Sequence, residues 1–230
     1  MNTKLLSALT ATAAATALFG AGAPAQAFSF GTNGIKFDQD TSVNFKFKES
    51  HGAYTSSLGI YSVNNSAVSL VSTLFSETKS SDNTWKNEWK GTLGNTVLGS
   101  GSTVFTFLAN QIYTLGLNSG GNGSVYSTSA LNSGSQQAVF GAQSPLWNAL
   151  NKETTNVFKA AGQFTNGTGS LFNGGTLISF DDRGNKNDAD FQDFTVSAEA
   201  VPEPMTMTGL ALGLGGLVAA RRRRASKTAS

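Results

Sequence analysis

The chain of 230 residues contains no cysteine and a single histidine. Without thiols there can be no disulfide staple, no thiolate nucleophile and no cysteine metal site. His51 stands among Ser50, Gly52 and Tyr54, so a Ser-His-Asp arrangement would have to draw every partner from elsewhere. Read alone, it is a solvated loop residue. Charged side chains are also few, at 13% of the chain, and no Gly-x-Ser-x-Gly elbow, phosphate loop or His-rich metal motif occurs. A non-enzymatic protein is the expectation. Proline is scarce too, with 4 residues; two of them share one tripeptide near the C-terminus.

What is present is most informative at the two ends. Lys4 gives a positive start, Leu5 to Phe19 is an alanine-rich apolar stretch, and Ala25-Gln26-Ala27 has the small-x-small pattern of a secretory cleavage site. Residues 1–27 therefore read as a signal peptide cut between Ala27 and Phe28, with a retained membrane helix as the alternative. At the other end, Val201-Pro202-Glu203-Pro204 is followed by an uncharged run from Met205 to Ala220, then by Arg221, Arg222, Arg223 and Arg224. Prolines break regular structure, the apolar run with its flank just meets the span of about 20 residues that crosses lipid, and four guanidinium groups stop it. An ordinary membrane anchor or a buried glycine-rich helix with a basic end would show the same charge placement.

The tripartite ending over 201–230, with Pro202, Glu203 and Pro204 as its tripeptide, resembles the PEP-CTERM sorting signal of exported bacterial proteins. That resemblance implies an exosortase-type processing enzyme as partner. It also implies passage through the membrane and a destination at the cell surface, envelope or extracellular matrix.

Between the two ends lie residues 28–200. Of the 16 basic residues, Lys4, Arg221 to Arg224 and Lys227 fall outside this stretch and 10 remain, against 13 of the 14 acidic ones. The exported domain is mildly acidic, and the basic pI of 8.9 belongs to the tail. No groove for nucleic acid is implied.

Gly, Ser, Thr and Asn dominate this domain, and short alternating apolar runs recur. Val43, Phe45 and Phe47 share one face of an extended segment, with Asn44, Lys46 and Lys48 on the other. Leu58 to Val63, Thr103 to Leu108, Ile112 to Leu117, Thr176 to Phe180 and Phe191 to Ala198 read as further strands. Turn-rich breaks such as Asn118 to Gly123 separate them, which favours a mainly β domain: an antiparallel, jelly-roll-like β-sandwich with minor helix. Phe45, Phe47, Val104, Ile112, Leu115, Phe180, Phe194 and Val196 are expected in its core. Two stretches depart from the β pattern: one after Ser144-Pro145, where Leu146, Leu150, Val157 and Phe158 recur at roughly helical spacing to Ala161, and one around Trp85 and Trp89. Trp85 and Trp89, four apart, form either a local core cluster or a surface for stacking on sugar. Together with Trp147 and Tyr126 they carry the alternative reading of an exopolysaccharide-binding module; an unrecognised hydrolase ranks third.

The segment from Phe180 to Asp193 holds five of the acidic residues, Asp181, Asp182, Asp188, Asp190 and Asp193, between two strand candidates. Five carboxylates so close repel one another, and a hard divalent cation taking about 6–8 oxygen ligands would relieve them. Spacing does not fit the EF-hand loop. A solvated hairpin neutralised by Arg183 and Lys186 is the competing reading. Phe180-Asp181-Asp182 and Asp188-Ala189-Asp190-Phe191-Gln192-Asp193 resemble the Phe-Glu-Asp and Asp-x-Asp-Tyr/Phe-Asn-Asp elements of an uncharacterised domain found before PEP-CTERM tails. Tyr126-Ser127 with Asn132 resembles that domain's Tyr-Ser-x-x-x-x-Asn element, and Leu58-Gly59-Ile60-Tyr61 one of its strands. The resemblance implies calcium, with Asp182, Asp188, Asp190 and Asp193 as ligands. Asp181 and Gln192 depart from the pattern, and Gly184 opens a longer linker.

Overall fold

The structure is a computed structural model that describes residues 27–51, 54–65, 67–80, 90–141, 166–167, 169–182 and 191–202. In chain order its strands begin with β1 (Phe28–Gly31), β2 (Gly34–Phe37), β3 (Thr41–Ser50), β4 (Ser57–Asn64), β5 (Ala67–Ser76) and β6 (Ser102–Phe107). They continue with β7 (Tyr113–Asn118), β8 (Ser124–Tyr126), β9 (Ala138–Phe140), β10 (Thr176–Phe180) and β11 (Phe194–Ala200). Among the described residues the only helical elements are two 3-10 turns, Gly120–Asn122 and Ser129–Asn132. The expected helix after Ser144, Trp85, Trp89 and Trp147 lie outside the described residues, as do the candidate signal peptide through Gln26 and the tail from Glu203 onward. No described helix is long and apolar enough to cross a membrane.

The strands form two sheets, and every pairing is antiparallel. One runs β1-β2-β7-β4-β5, with β8 also paired to β7; the other runs β6-β3-β11-β10-β9. Alternation explains why they stack. In β3, Val43, Phe45 and Phe47 are buried while Lys46 and Lys48 are exposed, so one face of the strand is apolar and seeks a partner layer. Rings from the two sheets meet there: Phe47 lies 6.0 Å from Phe75 and Phe37 lies 5.4 Å from Phe107. One continuous apolar core results. Strand β6 crosses the opposing sheet obliquely. Thr103 Oγ1 donates to the Leu74 carbonyl on β5 (3.4 Å), Phe105 meets Tyr113 on β7, and Phe107 meets Phe37 on β2.

Most expected core positions are buried: Phe45, Phe47, Leu115, Phe180, Phe194 and Val196 are all under 9% exposed. Two are not. Val104 is 58% exposed and Ile112 is 49% exposed. In β6, Phe105 and Phe107 bury far more apolar area than Val104 can, so they set the inward parity and Val104 faces outward. Ile112 is out of phase with Tyr113, Leu115 and Leu117 in the same way.

Five strands went unread in the sequence. Four of them, β1, β2, β8 and β9, have only 3 or 4 residues. The fifth, β5, breaks its own alternation. Its register against β4 shifts twice, so Leu74 lies between the partners of Leu58 and Gly59, and Val71 between those of Ile60 and Tyr61. Each bulge moves the later side chains to the opposite face, and a period-2 pattern cannot survive two of them.

Candidate functional site

The acidic segment springs from one end of the second sheet. Phe180 closes β10 opposite Phe194, the first residue of β11, and Phe194 in turn pairs with Ser50 at the end of β3. Both strand termini that bound the acidic loop are therefore anchored in the core, and the loop's two ends are held together. The Asp182 backbone N–H donates to Asp193 Oδ2 at 2.7 Å. Asp181 N–H donates to the Gln137 carbonyl at 3.1 Å and His51 N–H to the Asp193 carbonyl at 3.2 Å. Asp181 and Asp182 are buried, at 0% and 3% exposure. Of the four expected calcium ligands the structure thus brings Asp182 and Asp193 together; Asp188 and Asp190 lie outside the described residues.

A carboxylate that sequence reading missed completes this corner. Glu77, just past β5, is 6% exposed. It accepts hydrogen bonds from Ser50 Oγ and from the Ser56 N–H, the latter at 2.9 Å. Burial pushes its carboxyl up from the ordinary value, the two hydrogen bonds oppose that, and the charge of Asp182 raises it further. No spacing along the chain could have shown it, because Glu77 is more than a hundred positions from Asp182. The fit of Glu77 against Ser50 depends on Gly91, whose backbone bridges Ser50. A side chain there would collide with Ser50, Thr96 and Glu77.

Beside it, a second buried acid has basic partners. Glu49, 5% exposed, meets His51 Nε2 at 3.2 Å and Lys90 Nζ at 3.1 Å. Burial alone would raise its carboxyl, but His51 and Lys90 together outweigh it and hold the group below its ordinary value. His51 is therefore a shielded partner of Glu49, its side chain 14% exposed, and not the solvated loop residue that its neighbours suggested. The two acids differ in what balances them. Glu49 has the Lys90 ammonium and the His51 imidazole, whereas Glu77 faces a hydroxyl and an amide and feels the charge of Asp182. A buried carboxylate next to a second one is relieved by a proton or by a cation. The described donors at this corner are hard oxygens, the chemistry that calcium takes. Among the described residues no group of three or more histidine or acidic side chains is arranged to hold a metal.

The Tyr126 element has a structural role. Asn132 Oδ1 accepts from the Tyr126 N–H at 2.9 Å, and its Nδ2 donates to the carbonyls of Tyr126 (2.6 Å), Thr128 (3.4 Å) and Ser135 (3.3 Å). The amide satisfies one residue's backbone on both sides, as a paired strand would. Ser127 Oγ accepts from the Leu115 N–H at 3.1 Å, tying the loop to β7. The ring of Tyr126 stands edge-on to Tyr61 at 5.5 Å. Tyr61 can lie flat because Gly116 beneath it has no side chain.

At the two positions where the sequence suggests processing, Phe28 opens β1 and stacks on Phe37 at 5.8 Å, and Ala27 N–H donates to Asp38 Oδ2 at 3.2 Å. After β11 the Val201 N–H donates to the Ser42 carbonyl at 2.8 Å, and Val201 and Pro202 are exposed. In comparisons with known proteins, no family model, no curated protein and no solved structure matches this chain.

Proposed function

We propose that this chain is an exported, non-enzymatic surface or matrix protein, sorted through its C-terminal tail by an exosortase-type enzyme, whose β domain is stabilised by calcium at the acidic loop. One observation carries the sorting reading. A small-x-small cleavage site before Phe28 is paired with Pro202-Glu203-Pro204, an apolar run to Ala220 and Arg221 to Arg224. Val201 and Pro202, with which the described chain leaves the last strand, are exposed, which supports the same reading.

Calcium is supported by the convergence of Asp182 and Asp193, and by Glu77, a buried acid beside Asp182 that hydrogen bonds alone do not neutralise. Asp182, Asp188, Asp190 and Asp193 would hold the ion. Its role there is charge neutralisation and not catalysis. The finer description of the domain as a jelly-roll-like sandwich is supported by the chain's repeated switching between sheets, at β2 to β3, β3 to β4, β5 to β6, β6 to β7 and β8 to β9. The exopolysaccharide alternative draws nothing from Tyr126, whose ring is packed against Tyr61.

Intact-mass analysis of the protein recovered from its native host tests the sorting reading. The mature form should begin at Phe28 and lack the segment beyond Pro204. Recovery of Arg221 to Ser230 on the mature surface form would refute it.

A further inference from the structure

We propose that β6 is an assembly edge, at which two copies of this chain pair antiparallel about a two-fold axis and join their five-stranded sheets. Among the described residues β6 ends its sheet, with β3 on one side and no strand on the other. In an antiparallel ladder alternate residues turn their N–H and C=O away from the neighbour; on this side Ser100 Oγ already accepts from the Ser102 N–H (3.2 Å) and donates to the Ser102 carbonyl (2.7 Å), so Val104 and Thr106 are the positions that offer backbone groups to one more strand. Natural edges are usually protected by charge, proline, bulges or brevity. Ser102-Thr103-Val104-Phe105-Thr106-Phe107 carries neither charge nor proline and keeps an unshifted register with β3 over all six residues. Other edges are guarded. Strand β5 is longer but twice bulged, and β1, β8 and β9 have 4, 3 and 3 residues.

The strand itself names a second copy as its occupant. Antiparallel self-pairing that keeps inward faces together must match residues of like parity. Centred on Val104, it sets Val104 against Val104 of the second copy and Thr103 against Phe105; Ser102 falls opposite Thr106 and gives up its bonds to Ser100 Oγ to pair there. These are β-branched, hydroxyl and aromatic–β-branched cross-strand pairs, all of the favourable kinds. It brings no like charges together, because Lys46, the neighbour of Ser102 on β3, lies at opposite ends of the new ladder in the two copies. It also covers Val104, which at 58% exposure is the most exposed large apolar side chain among the described residues.

The absence of cysteine makes a direct test available in the full chain, held in detergent micelles. Residues directly opposite in an antiparallel pair have Cα atoms roughly 4.5–5.5 Å apart, within disulfide reach. Val104→Cys should give a disulfide-linked dimer under mild oxidation. It should form at least about tenfold faster than for Leu70→Cys on the bulged β5 edge, where no such pairing aligns the thiols. Equal rates at the two positions, or no dimer at Val104, would overturn the proposal. In parallel, the chain bearing Val104→Lys should keep its far-ultraviolet circular dichroism, since the side chain is exposed. Its sedimentation should show dimer affinity weakened at least about tenfold by opposing charges. A wild-type chain that sediments as a monomer, or a Val104→Lys chain as dimeric as wild type, would equally refute it.

Discussion

Two glutamates a short distance apart have opposite pH behaviour, and the cause is what each one faces. Glu49 is held below its ordinary value because His51 and Lys90 outweigh its burial. Its contribution to stability is therefore complete above the ordinary glutamate value of 4.5 and is lost as pH falls through the depressed one. Glu77 is raised by burial and by Asp182. Its contribution is complete below 4.5 and is lost as pH rises through the raised value. Thermal melts in chelator should separate the two. Glu77→Gln should raise the melting temperature above the raised pKa, and flatten the decline that wild type shows as pH climbs through it. Glu49→Gln should cost about 1–3 kcal/mol at neutral pH, the scale of hydrogen bonds to charged groups, and reduce the loss on acidification. Identical pH profiles for wild type and Glu77→Gln would mean that its carboxyl is not strained.

At the scale of elements, alternation was readable wherever a strand was long, regular and two-sided. Strand β3 is the clear case, and it makes a sharp contrast. Phe47→Ala should destabilise by about 3–5 kcal/mol, because Phe75 and Phe194 lose a packed ring, whereas Lys46→Ala on the opposite face should cost roughly 0.5 kcal/mol or less. Chemical denaturation of the two variants checks the parity of the strand. Asn132→Ala should cost about 1–3 kcal/mol, since the Tyr126 N–H and C=O would lose their only side-chain clamp in a partly buried loop. Asn132→Asp should recover only the accepting half. Where one-dimensional reading misplaced residues, as at Val104 and Ile112, both parities offered apolar side chains along the run. The larger rings then decided which face turned inward.

For the whole molecule, the proposed calcium makes folding and ion binding one equilibrium. At about 100 times its dissociation constant the ion would add roughly 2.7 kcal/mol, if the unfolded chain does not bind it. The melting temperature should therefore rise in calcium and return in chelator. Magnesium should substitute poorly, because it demands tighter octahedral geometry. Asp190→Asn should remove most of the calcium effect and raise stability without the ion. Equal melting of wild type in millimolar calcium and in chelator would reduce the loop to a solvated hairpin.

Composition and period were enough to establish a mainly β, cysteine-free domain between two candidate addresses, because those features are local. Phenylalanine alternation, turn clusters and the order of apolar and basic residues each act over a few neighbouring positions. The strand Thr176–Phe180 and the stretch Val43 to Phe47 within Thr41–Ser50 follow from that. Tertiary structure alone decided the rest. It brought Glu77 within the field of Asp182 and Lys90 to Glu49, it packed β6 across the opposing sheet, and among the described residues it left β6, regular and uncharged, at the end of its sheet. The physical reason is that sheet pairing and burial join residues far apart in the chain, and the electrostatic environment of a carboxylate depends on which of them arrive.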